Sequence, residues 1–307
     1  MSAVAYVNGR MCAEQDATIS VFDHGFLYGE GVYEVIRTYE GELFLADRHF
    51  RRLRASAAMI TLDVGMTDIA LEGIIRETID AFRASAGSAG GTPEVLARIL
   101  LTRGIGEMSY DPTKSPHPSL VVIVKALVPP PASAYERGVA VSLVSVMRNH
   151  PASVDPRIKS NNLLNNVLAM QEALRRGPYF EAILRNFRGE LAECSQSNLF
   201  LVIDGALRTP ALDAGLLAGI TREFVEEVAV ETGIPVVDGA LHDDDLFGAD
   251  EAFLTSTSKE IVPIVRVDDR VIGTGMPGPT TRRLLDAYRE RALAVTAAAG
   301  SVKRGAA

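Results

Sequence analysis

The first forty residues read as β-structure. Val4 to Val7 forms a short apolar strand, Asn8-Gly9 is a hairpin turn signal, and Arg10-Met11 begins the return. A second strand pair is expected around Glu40-Gly41, with Tyr33 to Tyr39 before it and Leu43 to Leu45 after. The spacing then changes. Phe50, Leu53 and Ala57 fall on one face of a helix that Asp47 can cap, and Leu71, Ile75, Ile79 and Phe82 line a second helix capped by Thr67-Asp68. That stripe is read as core packing. A loop over Ala86 to Gly91 leads to two blocks rich in branched residues, Val95 to Thr102 and Leu120 to Ala126, read as buried strands.

Consecutive prolines in Val128 to Ala132 cannot continue a strand or helix. They place a domain boundary, giving a domain over 1–127, a linker over 128–135 and a second domain over 136–307. In the second half, Val139 to Met147 reads as a strand. Asn162 to Arg176 reads as a helix stopped by Gly177, with strands at Ala182 to Asn186 and Leu199 to Ile203. Arg188-Gly189 and Asp204-Gly205 supply turns. Further helices are expected from Thr221 to Thr232 and from Pro279 to about Val295, with a frayed end over Gly300 to Ala307.

Composition narrows the function classes. The 307 residues are 47% hydrophobic and 23% charged, ordinary for a globular protein, and the net charge of −8 argues against a general affinity for nucleic acid. No apolar run is long enough to span a membrane, and the N-terminus lacks a basic, apolar leader pattern, so a cytoplasmic location is expected. Two cysteines, Cys12 and Cys194, make no disulfide framework, and five scattered histidines form no zinc motif, so no metal is expected. Gly29-Glu30-Gly31 and Gly104-Ile105-Gly106 do not complete a dinucleotide-binding fingerprint.

The chemistry-bearing candidates are dispersed. Lys159 lies in the polar loop Arg157 to Asn162, and a buried lysine can serve as a nucleophile toward an aldehyde. Glu193 opens the stretch Glu193 to Phe200, and a buried carboxylate can hold the ring nitrogen of pyridoxal phosphate protonated. In Leu217 to Arg222 a glycine turn leads straight into a helix, so the N–H groups of Ile220 and Thr221 can face an anion. Thr255 to Lys259 offers hydroxyls and N–H donors after a strand, and Arg52 can give a two-point contact to phosphate.

Order and context join these fragments. Asp23-His24-Gly25, Gly31 to Arg37, His49 to Leu53, Ile158-Lys159-Ser160, Glu193 to Phe200, Gly219 to Arg222 and Thr255 to Ile261 follow one another as in a known family. The chain resembles the class IV aminotransferases, fold type IV enzymes dependent on pyridoxal 5′-phosphate that include branched-chain and D-amino acid aminotransferases. The resemblance runs from about Tyr6 to Tyr288.

It implies an α/β fold of the α+β type, with a small N-terminal α/β domain and a larger domain built on a barrel-like sheet. Cofactor and substrate would lie between the two, in a homodimer or higher homo-oligomer. Lys159 would carry the cofactor aldehyde and shuttle the proton, and Glu193 would pair with the ring nitrogen. Arg52, Ile220, Thr221 and Thr257 would bind phosphate, with Ser195, Leu217, Gly219 and Ser256 completing the cofactor site. Tyr33, Arg37, Arg98, Thr257 and Ser258 would meet the amino acid and 2-keto acid substrates.

The substrate signals conflict. Arg98 and the glycine-rich loop Ile105 to Pro112 resemble branched-chain enzymes, whereas Val35 stands where those enzymes usually carry glycine and Lys159 to Leu164 resemble the D-amino acid group. Leu164 stands where branched-chain enzymes carry a tyrosine. Branched-chain L-amino acids with 2-oxoglutarate are the expected pair. A D-amino acid or (R)-amine transaminase is the alternative, and a lyase similar to aminodeoxychorismate lyase the second.

Overall fold

The computed structural model describes residues 3–86 and 93–305. Most of the Ala86 to Gly91 loop therefore lies outside the described residues. The chain divides into two compact units. One comprises Met1–Val128, Ile158–Asn162 and Ala292–Ala307, and the other Pro129–Arg157 and Leu163–Arg291.

The first unit holds an antiparallel sheet made of β1 (Ala3–Val7), β2 (Arg10–Ala13), β3 (Gly31–Tyr39), β4 (Glu42–Leu43), β5 (Val95–Thr102) and β6 (Ser119–Ala126), in the order β2-β1-β6-β5-β3-β4. Asn8 and Gly9 both take positive φ, as do Glu40 and Gly41, which suits the right-handed twist of a two-residue hairpin. Besides the short α1 (His24–Leu27), α2 (Ala46–Met59) and α3 (Asp68–Ala86) cover one sheet face. Phe50, Leu53 and Ala57 of α2 and Leu71, Ile75, Ile79 and Phe82 of α3 join Val32, Ile36, Val95, Ala97, Ile99, Val122 and Val124 in one core. Both apolar stripes read from the sequence are thus buried.

Two local expectations fail for identifiable reasons. Asp47 does not cap α2. Leu45 occupies the N-cap in a left-handed conformation, so β4 stops at Leu43 and Asp47 pairs instead with Arg51 on the surface. Thr67, by contrast, accepts the Ala70 N–H through its hydroxyl, as a helix cap does.

The second unit opens with α4 (Ala132–Arg137), so the stretch read as a linker turns helical at residue 132. Its remaining elements are β7 (Val139–Leu143), α5 (Leu164–Arg176), β8 (Ala182–Arg185), β9 (Leu191–Cys194), β10 (Asn198–Ile203), β11 (Ala206–Pro210), α6 (Ile220–Glu231), β12 (Val236–Gly239), α7 (Asp243–Gly248), β13 (Glu251–Ser256), β14 (Glu260–Val267), β15 (Arg270–Val271) and α8 (Pro279–Gly305). The sheet runs β12-β11-β10-β13-β14-β7-β8-β9, with β15 beside β14. It is mixed, since β7 is parallel to both neighbours and β11 to β12. The two ends of the path approach each other, because β9 also packs on β10 and β11, and the sheet curls into a half-barrel.

β7 ends at Leu143, short of the expected Met147. The Glu172 carboxylate accepts the Ser145 and Val146 N–H groups and the Ser145 hydroxyl, drawing the backbone off the ladder. α5 starts two residues later than expected, because the Asn161 N–H is bonded to the Gly31 carbonyl. On α5 the small Ala169 and Ala173 are buried, while Leu164 and Leu168 are exposed. α8 continues to Gly305, past the expected end near Val295. No helix among the described residues is long and apolar enough to cross a membrane.

Ile75 is fully buried in the first core, whereas Ile69, on the same helix, is 86% exposed. Ile75→Ala should cost about 2–5 kcal/mol in denaturant unfolding, and Ile69→Ala less than about 0.5 kcal/mol. Equal losses at the two positions would contradict this packing.

Candidate active site

The candidate residues fall into two sets, one in each unit. In the first unit, Lys159 is fixed through its backbone. The Tyr33 N–H donates to the Lys159 carbonyl, the Lys159 N–H to the Ser56 hydroxyl at 3.1 Å, and the Asn161 N–H to Gly31. Ser160 forms a bridge to Val32, so Ile158–Asn162 extends the sheet along the start of β3. Gly31 is required here, since a Cβ would press on the Asn161 amide and the Leu101 carbonyl.

Strand alternation then sorts side chains by face. Val32, Glu34 and Ile36 turn toward the helices, and Tyr33, Val35 and Arg37 turn the other way. On β5, antiparallel to β3 with Val35 opposite Arg98, Leu96, Arg98 and Leu100 share that second face. There the Arg98 guanidinium sits over the Tyr33 ring at 4.2 Å and the Lys159 ammonium over the same ring at 4.6 Å. Arg37 stacks on Tyr39 at 3.9 Å. Two arginines, a lysine and an aromatic ring therefore line one polar face, suited to a carboxylate-bearing substrate.

Arg52 lies on the helix side. Its Nε donates to one oxygen of Glu34 at 2.6 Å and its Nη2 to the other at 2.9 Å. The His49 Nδ1 meets Glu34 at 2.7 Å. Neither Glu34 nor His49 stands out as chemistry in the sequence. The available signal is parity: an acid stands at an inward position between Val32 and Ile36, with His49 and Arg52 one helical turn apart. Burial alone would raise the Glu34 carboxyl, but the Arg52 and His49 groups outweigh it and hold it well below its usual range. Burial lowers His49 from its ordinary 6.5, and the Arg52 and Lys159 cations push the same way against the opposing pull of Glu34.

In the second unit, Glu193 is buried on β9. Its Oε1 accepts the Arg148 Nε at 2.6 Å, and its Oε2 accepts the Leu217 N–H at 3.1 Å and the Asn198 amide at 3.5 Å. The Asn198 amide also donates to the Leu217 carbonyl at 2.9 Å. A Cβ on Gly219 would overlap the Asn198 amide oxygen, so that position takes only glycine. Leu217 thus contacts Glu193 and Asn198 through its backbone and Gly219 leaves room for the Asn198 amide, while Arg148 and Asn198 are contacts that the sequence reading missed.

Next to them, α6 begins without a side-chain cap at Gly219, and its first intrahelical bond reaches back from Glu223. The N–H groups of Ile220 and Thr221 precede that bond and point out of the helix start. Asn198 is paired directly with Thr255 across β10 and β13. There the hydroxyls of Thr255 and Ser256 are buried without a hydrogen-bond partner among the described residues. Buried hydroxyls are normally bonded, so orphan donors beside an uncapped helix start fit a phosphate group.

Ser195 belongs to a different contact. With Ser197 and the Gln196 N–H it donates to the fully buried Glu181, which also holds the Lys259 ammonium at 2.6 Å. This ties the turn after β9 to the Ser256–Lys259 turn, where the Lys259 N–H bonds the Ser256 carbonyl and Thr257 and Ser258 are half-buried. Burial pushes the Cys194 thiol well above its ordinary value, which removes it as a nucleophile.

Comparison with known proteins gives this geometry a family. A model described as amino-transferase class IV matches residues 31–267. A putative branched-chain-amino-acid aminotransferase of Methanocaldococcus jannaschii is 37% identical over 93% of this chain and 95% of its own length. A D-alanine aminotransferase of Staphylococcus haemolyticus is 32% identical over 93% and 96%. A solved T.th. branched-chain amino acid aminotransferase with pyridoxamine 5′-phosphate is similar at a TM-score of 0.87 and 28% identity, covering 96% of this chain and 95% of its own. The chain belongs to the class IV aminotransferases, enzymes of mixed α/β, fold type IV architecture that transfer amino groups with pyridoxal 5′-phosphate.

The buried histidine and glutamate make a pH prediction. Both folded pKa values are lowered, so each group contributes stability above its unfolded value that is lost as pH falls. The melting temperature should decline below about pH 6.5, where the unfolded chain takes up a proton that His49 resists, and further below about 4.5 at Glu34. In His49→Asn the decline between about pH 7 and 5.5 should be shallower than in the wild type. Parallel profiles would refute the assignment.

Proposed function

We propose that this aminotransferase moves the amino group of branched-chain L-amino acids to 2-oxoglutarate. The observation that carries the reading is the polar face of β3 and β5. Arg98 and Arg37 lie on one side of the sheet with Lys159, and an acceptor with two carboxylates calls for more than one cation. The Methanocaldococcus jannaschii relative supports the same substrate class.

When bound, pyridoxal phosphate supplies an aldehyde for the amino group and a ring that accepts the electrons released at the substrate Cα. Lys159 Nζ would be the group that holds that aldehyde, and as a free amine it would take and return the proton at the donor Cα. Glu193, braced by Arg148 and the Leu217 N–H, holds the proton on the ring nitrogen. The Ile220 and Thr221 N–H groups, with Thr221, Ser256, Thr257 and Arg52, bind the phosphate. Tyr33, Arg37, Arg98 and Ser258 orient the substrate, and two half-reactions sharing one site give ping-pong kinetics.

A second reading, transamination of D-amino acids, is favoured by Leu164 in place of a tyrosine and by the Staphylococcus haemolyticus relative. Absorbance separates the two. The cofactor-loaded protein should pass to its aminated form faster with L-leucine than with D-alanine, and the reverse order would overturn the L-branched-chain assignment. Sustained release of pyruvate over many turnovers without any keto acid would point to the lyase instead, because a D-alanine half-reaction stops after one equivalent per cofactor. Lys159→Ala should lower turnover by at least about 10²–10⁴-fold, the range general acid–base catalysis supplies. Near-normal turnover in that variant would remove the lysine from the chemistry.

A further inference from the structure

Glu34 has no part in the mechanism above, yet it is a fully buried acid with both oxygens engaged. It is 0% exposed and stands on the helix-facing side of β3 between Val32 and Ile36, which are equally buried. A branched apolar residue would serve the strand and the core better. The carboxylate instead accepts a two-point fork from Arg52, at 2.6 and 2.9 Å, and the His49 Nδ1 at 2.7 Å.

We infer that Glu34 is a positioning residue that sets the plane of the Arg52 guanidinium for the cofactor phosphate. The fork engages Nε and Nη2 together, so the guanidinium lies in the plane of the Glu34 carboxylate. His49 meets the same oxygen as Nη2, which fixes the carboxylate in turn. Because the Arg52 side chain is only 13% exposed, solvent offers little alternative support for its geometry. The inference rests on the reading of Arg52 as a phosphate ligand.

Dissociation constants for pyridoxal phosphate and for pyridoxal, read from the absorbance of the bound cofactor, isolate the phosphate contribution as a ratio. Glu34→Gln should narrow that ratio at least about tenfold, the effect of one charge-assisted contact, and change pyridoxal binding less than about twofold. Arg52→Lys, which keeps the charge and loses the fork, should narrow it similarly and keeps the question open to measurement if Glu34→Gln fails to fold. Adding Glu34→Gln to Arg52→Ala should narrow the ratio no further. An unchanged ratio in Glu34→Gln or in Arg52→Lys, beside a narrowed one in Arg52→Ala, would overturn the positioning role alone. An unchanged ratio in Arg52→Ala would overturn the phosphate reading of Arg52 and the inference with it.

Discussion

The pairing of Ile158–Asn162 with the start of β3 is the constraint on which the first half of the site depends. The Tyr33 N–H and the Gly31 carbonyl would otherwise be open ladder groups, and the lysine segment satisfies both. Once that backbone is committed, Lys159 must project beside Tyr33 and Arg98, and Gly31 must remain a glycine for the chain to come close enough. The point from which the Lys159 side chain departs is thereby fixed by hydrogen bonds of its own backbone.

The second unit reaches a comparable result with side chains. Glu193, Asn198 and Glu181 are buried acceptors and donors at strand ends, and each gathers backbone groups from loops that would otherwise be free to move. Buried polar groups are expensive unless fully paired, and here most are. Among the unpaired ones, the Thr255 and Ser256 hydroxyls lie beside the uncapped start of α6. Unpaired hydroxyls next to the N–H groups of a helix start suit an anion.

Much of the architecture was legible because it follows from short-range rules. The positive-φ turns at Asn8-Gly9 and Glu40-Gly41, the stripe Leu71-Ile75-Ile79-Phe82 and the strand Val95 to Thr102 depend on local periodicity and turn chemistry. Departures arose where a distant group intervened. Glu172 pulled residues 145 and 146 off β7, and Gly31 claimed Asn161 before α5 could begin. In the site, Lys159, Glu193 and the Gly219-Ile220-Thr221 helix start stood out through residue type and order. Glu34, Arg148, Asn198 and Glu181 did not, because a supporting residue is defined by the partner it meets across the fold.

By itself, then, the sequence determined most of the strands and helices, the apolar stripes of α2 and α3 and which chemistry is on offer, since each follows from neighbours within a few positions. Tertiary structure alone decided which carboxylate holds which cation. Arg52 goes to Glu34 across 18 positions and Arg148 to Glu193 across 45, separations at which periodicity carries no information. Electrostatic and hydrogen-bond partners are chosen by proximity in space. That proximity exists only after the apolar faces have packed.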